Sequence, residues 1–328
     1  MPICYPANKT AFNIVRCGYI ELGVRDLQKS RNFYIDILGL IETQEKDGSI
    51  YLRGLEERCH HSVVLTKSES SCVLRMGFQV ENEHHLSLLH ADLQQTNLYS
   101  NFTSAYGVER ILQTVDPLGM PIEFYTSMSQ VSRSLQKYGS YKGCRPMRLD
   151  HFNCFTPDVQ KSHDFYSGQL GFHLTEYTET DSENPELWAV WMQRKGNVHD
   201  LALTNGVGPR LHHLAFWCPA VTDIIHLCDV MSTTGYLKNM ERGPGRHGIS
   251  NAFFLYVRDP DGHRIELYSS DYLTVDPDFV PIRWGLHDAQ RQTLWGHAAP
   301  KSWFEEGSHF INTTTSEPQL QAQPIVAN

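Results

Sequence analysis

The chain lacks any uninterrupted apolar run of about 18 residues or more, so no segment reads as a bilayer-spanning helix. It also lacks a surplus of basic charge: 28 lysines and arginines stand against 37 aspartates and glutamates, a formal charge of −9. Nucleic acid and anionic membranes each need a basic face, which excludes both as main partners. The opening MPICYPANKT has no charged-then-apolar export pattern, so a cytoplasmic location is expected. The eight cysteines form no CxxC pair and read as reduced thiols, not as a metal knuckle or a disulfide framework. What is present is an ordinary globular composition, 41% hydrophobic and 20% charged, with an unusual seventeen histidines. Number alone decides nothing there; placement must.

The chain contains itself twice. Asp26-Leu-Gln-Lys-Ser-Arg-Asn-Phe-Tyr34 is echoed by Asp158-Val-Gln-Lys-Ser-His-Asp-Phe-Tyr166, and Leu38-Gly39-Leu40 by Leu170-Gly171-Phe172. Asp116-Pro-Leu-Gly-Met-Pro-Ile-Glu-Phe-Tyr125 is echoed by Asp259-Pro-Asp-Gly-His-Arg-Ile-Glu-Leu-Tyr268. Three blocks in one order mark a tandem duplication with units of roughly 130 residues.

Each unit predicts a strand (20–24; 148–154) and then a short helix opened by Asp26 or Asp158, whose carboxylates can cap free N–H groups. The glycine of LGL or LGF suits a left-handed stop. Further strands follow (63–65 and 74–80; 189–192, 200–203 and 213–217), then a helix (85–95; 221–231) and a closing hairpin at Asp-Pro-x-Gly. The fold expected is α+β, with curved, mostly antiparallel sheets. Its parts are a first unit over 1–140, a second over 141–274, a lid or contact arm over 275–312, and a disordered tail over 313–328.

The two copies differ where chemistry could sit. Aligned, His151 falls opposite Tyr19, His213 opposite Met76, and Glu266 opposite Glu123. Two imidazoles and one carboxylate on three strands of one cupped face would hold a divalent ion and leave positions open, as in non-haem Fe(II) oxygenases. Zinc fits the ligand types equally. The bland reading is that strand histidines and glutamates are hydrogen-bonded or turned to water. Alternation does not choose between His212 and His213. Ordinary readings also exist for His199 and His247 as surface histidines, Tyr256 as strand core, and Arg242 and Arg246 as solvated charge. His60 and His61 read as structural, and Arg194 and Lys195 as a solvated strand edge.

The stretch His247-Gly-Ile-Ser-Asn-Ala-Phe-Phe-Leu-Tyr256-Val-Arg-Asp-Pro-Asp-Gly-His-Arg-Ile-Glu266 resembles the signature of type I extradiol ring-cleaving dioxygenases. That family belongs to the vicinal oxygen chelate superfamily of paired βαβββ modules, and the likeness covers roughly residues 12–300. Leu149-Asp-His-Phe-Asn153, Val198-His-Asp200 and Glu241-Arg-Gly-Pro-Gly-Arg-His247 are most similar to members acting on 3,4-dihydroxyphenylacetate.

The resemblance implies tandem βαβββ modules forming half-barrel-like sheets, with His151, His213 and Glu266 as metal ligands. It implies Fe(II), or alternatively Mn(II), with O₂ as co-substrate. His199 would be the acid/base, and Tyr256 a hydrogen-bond donor to the substrate oxygen. Asn153, Trp191, Arg242, His247, Arg291 and Gln292 would line the substrate site. A catechol would be opened beside its vicinal diol to a muconic semialdehyde by a homotetramer. Gln292 departs from the pattern, standing where arylacetate-specific members carry a second carboxylate-binding arginine. A neutral or alkyl- or aryl-substituted catechol is the alternative substrate, and a metal-free protein that sequesters a small molecule is the alternative class.

Overall fold

The computed structural model describes residues 9–96 and 98–327. Two mixed sheets carry the chain. In the first, neighbours run Ile41–Lys46, Ser49–Arg53, Val63–Lys67, Ile14–Val24, Cys72–Val80, Pro121–Tyr125, Val108–Val115 and Ser100–Ala105. The second repeats that order with His173–Glu179, Leu187–Gln193, Leu201–Asn205, Arg148–Thr156, Arg210–Trp217, Arg264–Ser269, Phe253–Arg258 and Met240–Arg246. In each, the opening strand pairs parallel to one neighbour and antiparallel to the other. The duplication is thus one of topology as well as sequence.

The local signals act as their chemistry requires. Asp26 accepts from the Lys29 amide at 3.0 Å and Asp158 from the Lys161 amide at 2.9 Å, capping Leu27–Asn32 and Val159–His163. Both helices then widen into a π-turn, Phe33–Leu38 and Asp164–Gln169, which the sequence reading did not anticipate. At the hairpin, the Asp259 carboxylate accepts from the amides of Asp261 and His263. Gly262 there sits at φ 93°, a left-handed conformation that a Cβ would strain.

One contiguous apolar core spans both sheets. Phe78 of the first meets Phe152 of the second, and Phe172 just ahead of the strand His173–Glu179, edge-on, with ring centroids at 5.8 and 5.5 Å. Seven of the eight cysteines are free thiols; Cys4 lies outside the described residues.

Residues 275–312 add Ile282–Gly285 to the edge of the second sheet, parallel to His173–Glu179. They also supply the short helices Ala289–Gln292 and Lys301–Glu305. The tail expected to be disordered over 313–328 is instead held against the second sheet through residue 327. Gly208 and Ala322 exchange backbone hydrogen bonds, the Asn205 amide donates to the Val326 carbonyl, and Val326 is buried beside Trp188 and Trp191. Backbone pairing with a loop far away in sequence, absent from any periodicity, orders it. No described helix is long and apolar enough to cross a membrane.

Candidate active site

Three adjacent strands bring His151, His213 and Glu266 together. Ala215 lies across from His151 on one side and beside Glu266 on the other, so the three side chains share one face. His151 Nε2 is 2.9 Å and His213 Nε2 3.3 Å from Glu266 Oε2, and one donor atom from each residue lies within 4.8 Å of the others. All three are buried.

The atoms behind them set which lone pairs point inward. The Trp303 carbonyl can only accept, so His212 Nε2–H donates to it at 2.9 Å. His212 Nδ1 is then an acceptor, and His213 Nδ1–H donates to it at 2.6 Å. That leaves His213 Nε2 with its lone pair turned into the site. His151 is oriented likewise, its Nδ1 lying 3.2 Å from Asp150 Oδ2. His213, not His212, is therefore the imidazole turned toward His151 and Glu266. A strand bulge between Leu211 and His213 breaks the alternation that could have told them apart.

The set fits a divalent ion. Burial opposes charge on His151, yet hydrogen bonds to Asp150 and Glu266 outweigh it and raise its pKa, so a proton does the work of a cation. Burial likewise opposes the Glu266 carboxylate, but its two imidazole neighbours hold it well below the ordinary range. Burial pushes His213 down to about 4, keeping it a neutral nitrogen ligand. With an ion in place of that proton, two imidazole nitrogens and one carboxylate would make a three-sided cradle, its remaining side open to a cavity of about 350 Å³.

That cavity gathers the other expected residues: Asn153, Trp191, His199, Arg242, His247, Tyr256, Arg291 and Gln292 all line it. The His199 ring lies 3.8 Å from that of His151, and its Nδ1 is buried without a hydrogen-bond partner among the described residues. Burial, then the neighbouring His151 and Lys195, keep His199 neutral, with its pKa well below the usual value. His247 Nδ1–H points at the Gln292 carbonyl, so its Nε2 accepts from the Tyr256 hydroxyl at 2.9 Å. In this arrangement the Tyr256 proton faces His247.

Arg242 donates to the Gln292 carbonyl at 3.0 Å and to Thr293 Oγ1 at 2.8 Å, and lies over the Trp303 ring at 4.4 Å. Arg291 lies 4.9 Å over Trp188. Neither pairs with a carboxylate among the described residues, and burial pushes Arg291 down to about 10. Trp188, Arg210 and Trp303 also line the cavity, and the sequence reading passed over them. Nothing short-range marks them, since Trp303 reaches the site from the arm.

The first copy shows how the same frame loses its metal set, and corrects one alignment. Gly77 holds the place of Ala215, beside Tyr19 and Glu123, so the counterpart of His213 is Arg75, not Met76. A slip of one residue on a strand changes the face. Met76 accordingly sits in the core, near Cys154 Sγ, while the Arg75 guanidinium lies 3.8 Å from Glu123. Tyr19 and Gln113 donate to the same carboxylate. An internal cation thus sits beside the carboxylate that matches Glu266. His61 occupies the position of His199, packed edge-on to Tyr19 at 5.6 Å.

Arg194 and Lys195, expected on a solvated edge, are instead tied inward. Arg194 reaches across to the Ile14 carbonyl at 2.7 Å, and Lys195 is largely enclosed between Asp150 and Asp200. The first sheet covers the edge that the local sequence presented as open.

The sequence matches the Glyoxalase/Bleomycin resistance protein/Dioxygenase superfamily over residues 16–126 and 148–267, one match per copy. It is 32% identical over 297 residues to a manganese-dependent 2,3-dihydroxybiphenyl 1,2-dioxygenase of Geobacillus genomosp. 3, covering 86% of this chain and 93% of that one. It is 27% identical to a metapyrocatechase of Geobacillus stearothermophilus, covering 94% and 97%. The structure superposes with a TM-score of 0.92 on homoprotocatechuate 2,3-dioxygenase of Brevibacterium fuscum in its anaerobic complex with 3,4-dihydroxyphenylacetate. That pair shares 42% identity over 98% of this chain and 100% of the other. The duplicated fold, the convergent His-His-Glu set and these likenesses agree: the chain belongs to this superfamily and, within it, to the extradiol ring-cleaving dioxygenases.

Proposed function

We propose that this dioxygenase opens 3,4-dihydroxyphenylacetate, or a catechol with a similarly placed acidic arm, next to its vicinal diol, with both atoms of O₂ entering a muconic semialdehyde. The observation that carries the substrate is the pair of buried guanidiniums, Arg242 and Arg291, without carboxylate partners among the described residues, in the cavity that also holds the His-His-Glu set. A guanidinium stays charged when buried and favours a planar carboxylate.

His151, His213 and Glu266 would hold Fe(II) or, as in the manganese-dependent relative, Mn(II). Such an ion lowers the pKa of a catechol hydroxyl and leaves room for diol and O₂ together. The remaining work falls to the chain. Arg242 and Arg291 would draw the acidic arm, while Trp191 and Asn153 would border the ring. Neutral His199, which lines the cavity, would take the hydroxyl proton and return it to oxygen during O–O cleavage. Tyr256 would turn its proton from His247 to the substrate oxygen. The buried walls exclude water. The working assembly we infer, on the family resemblance, is a homotetramer, with a native mass about four times 37.5 kDa.

Protein loaded with Fe(II) or Mn(II) would be mixed without oxygen with 3,4-dihydroxyphenylacetate, 4-methylcatechol or 2,3-dihydroxybiphenyl, then exposed to O₂. A yellow product should appear, with the highest kcat/KM for the acidic substrate. Preference for a neutral catechol overturns the substrate assignment. Tight catechol binding without turnover, unaffected by a chelator, would instead favour sequestration.

A further inference from the structure

Lys195 stands behind the site and has no part in the chemistry above. Its ammonium donates to the Asp150 carbonyl at 2.7 Å, the His199 carbonyl at 2.8 Å and Asp200 Oδ1 at 3.0 Å. An ammonium has three protons, and these contacts use all of them. Asp150 immediately precedes His151, so a single cation grips the backbone that carries both rings, His151 and His199, whose centroids lie 3.8 Å apart at a 42° tilt. The His199 ring cannot place itself, because its buried Nδ1 has no partner among the described residues. Its position comes from the backbone it hangs on.

That backbone is anchored from the first copy as well. Asp200 Oδ2 accepts from the amides of Arg194 at 2.6 Å and Lys195 at 3.0 Å, while its Oδ1 accepts from the Cys17 amide at 2.8 Å. Cys17 Sγ also reaches the Asp150 carbonyl at 2.7 Å. The strand Ile14–Val24, which carries no metal ligand, thus closes the rear of the active site.

We propose that Lys195, braced by Asp200 and the Cys17 amide of the first copy, is a positioning residue that sets His199 against His151. An ion pair serving stability alone would need only the carboxylates. Here two of the three donors go to the carbonyls that carry the working rings. The proposal rests on the roles of His151 and His199 given above.

The test compares wild type, Lys195→Met and the double variant Lys195→Met/Asp200→Asn. At saturating metal and O₂, Lys195→Met should lower kcat at least about tenfold with KM changed less than about threefold, as expected when a supporting contact is lost. It should also release its ion to a chelator about tenfold faster, since Asp150 steers His151. Lys195→Met removes the ammonium paired with buried Asp200, while Asp150 keeps Arg148, so its melting temperature should fall. Neutralising Asp200 removes the unpaired charge but also one acceptor for the backbone amides, so it should recover neither kcat nor ion retention, whatever it does to the melting temperature. Wild-type kcat in either variant overturns the proposal, as does kcat recovering in step with melting temperature. If wild type binds metal and turns over no catechol, the proposed function fails instead. The rates of ion release then decide the role of Lys195 by themselves: equal rates in wild type and both variants overturn it.

Discussion

The Nδ1 atoms of His212 and His213 face each other at 2.6 Å, and the Trp303 carbonyl decides which one carries the proton. A carbonyl on the arm thereby fixes, through one intervening imidazole, the lone pair that His213 turns toward the site. Replacing His212 by Phe removes the acceptor and frees His213 to adopt its other tautomer. Metal affinity should fall about 10- to 100-fold, the usual cost of losing an outer partner. Competition with a chelator measures it, and an unchanged affinity would show that ring packing alone orients His213.

Gln292 lines the cavity and, on the family resemblance, stands where an arylacetate-binding arginine is expected. Its carbonyl already anchors Arg242 and His247, so its side chain can change without disturbing that frame. Gln292→Arg should lower KM for 3,4-dihydroxyphenylacetate several-fold and leave KM for 4-methylcatechol nearly unaltered. A parallel fall for both would mean that the new side chain acts through packing rather than charge.

Glu241 links stability to acid. Burial opposes its charge, but Arg264 at 2.6 Å and Arg258 at 2.7 Å outweigh it and bring its pKa from 4.5 to about 2. A depressed carboxylate stabilises the fold fully above its unfolded pKa and loses that contribution as pH falls through the folded value. The displacement corresponds to on the order of 3 kcal/mol. Urea denaturation should show Glu241→Gln less stable than wild type at neutral pH. The gap should close between about pH 4 and pH 2. A gap independent of pH would remove the ionic account.

Gln323 and Pro324 line the cavity, while Val326 packs behind Trp188 and Trp191. Deleting residues 321–328 should therefore raise KM for the acidic catechol at least threefold while the two-sheet core keeps its melting temperature within a few degrees. Bulky catechols should gain relative to small ones. Unchanged selectivity across a size series would mean that the tail is only a surface strap.

The fold was legible because its signals are local and occur twice. Asp26 and Asp158 cap helices in the same way, and the glycines at 119 and 262 end the same turns. The ligand types were legible too, and the family likeness singled out His151, His213 and Glu266. The partner of His213 in the first copy was not. Strand residues 75 and 76 differ only in the face they take, and that depends on a bulge formed against another strand. Lys195 was misread for a related reason. A lysine beside an arginine after a strand looks solvated until a second sheet arrives to cover it.

The amino-acid order by itself determined that the chain is a duplicated α+β protein and that one copy alone bears two imidazoles and a carboxylate at matched places. Caps, turns and repeats act over a few residues and need no partner to express themselves. Only the tertiary structure decided which histidine faces inward, how an arginine came to neutralise the other copy, and what encloses the cavity. Those outcomes depend on contacts between residues distant along the chain, and no short window of sequence contains both halves of such a contact.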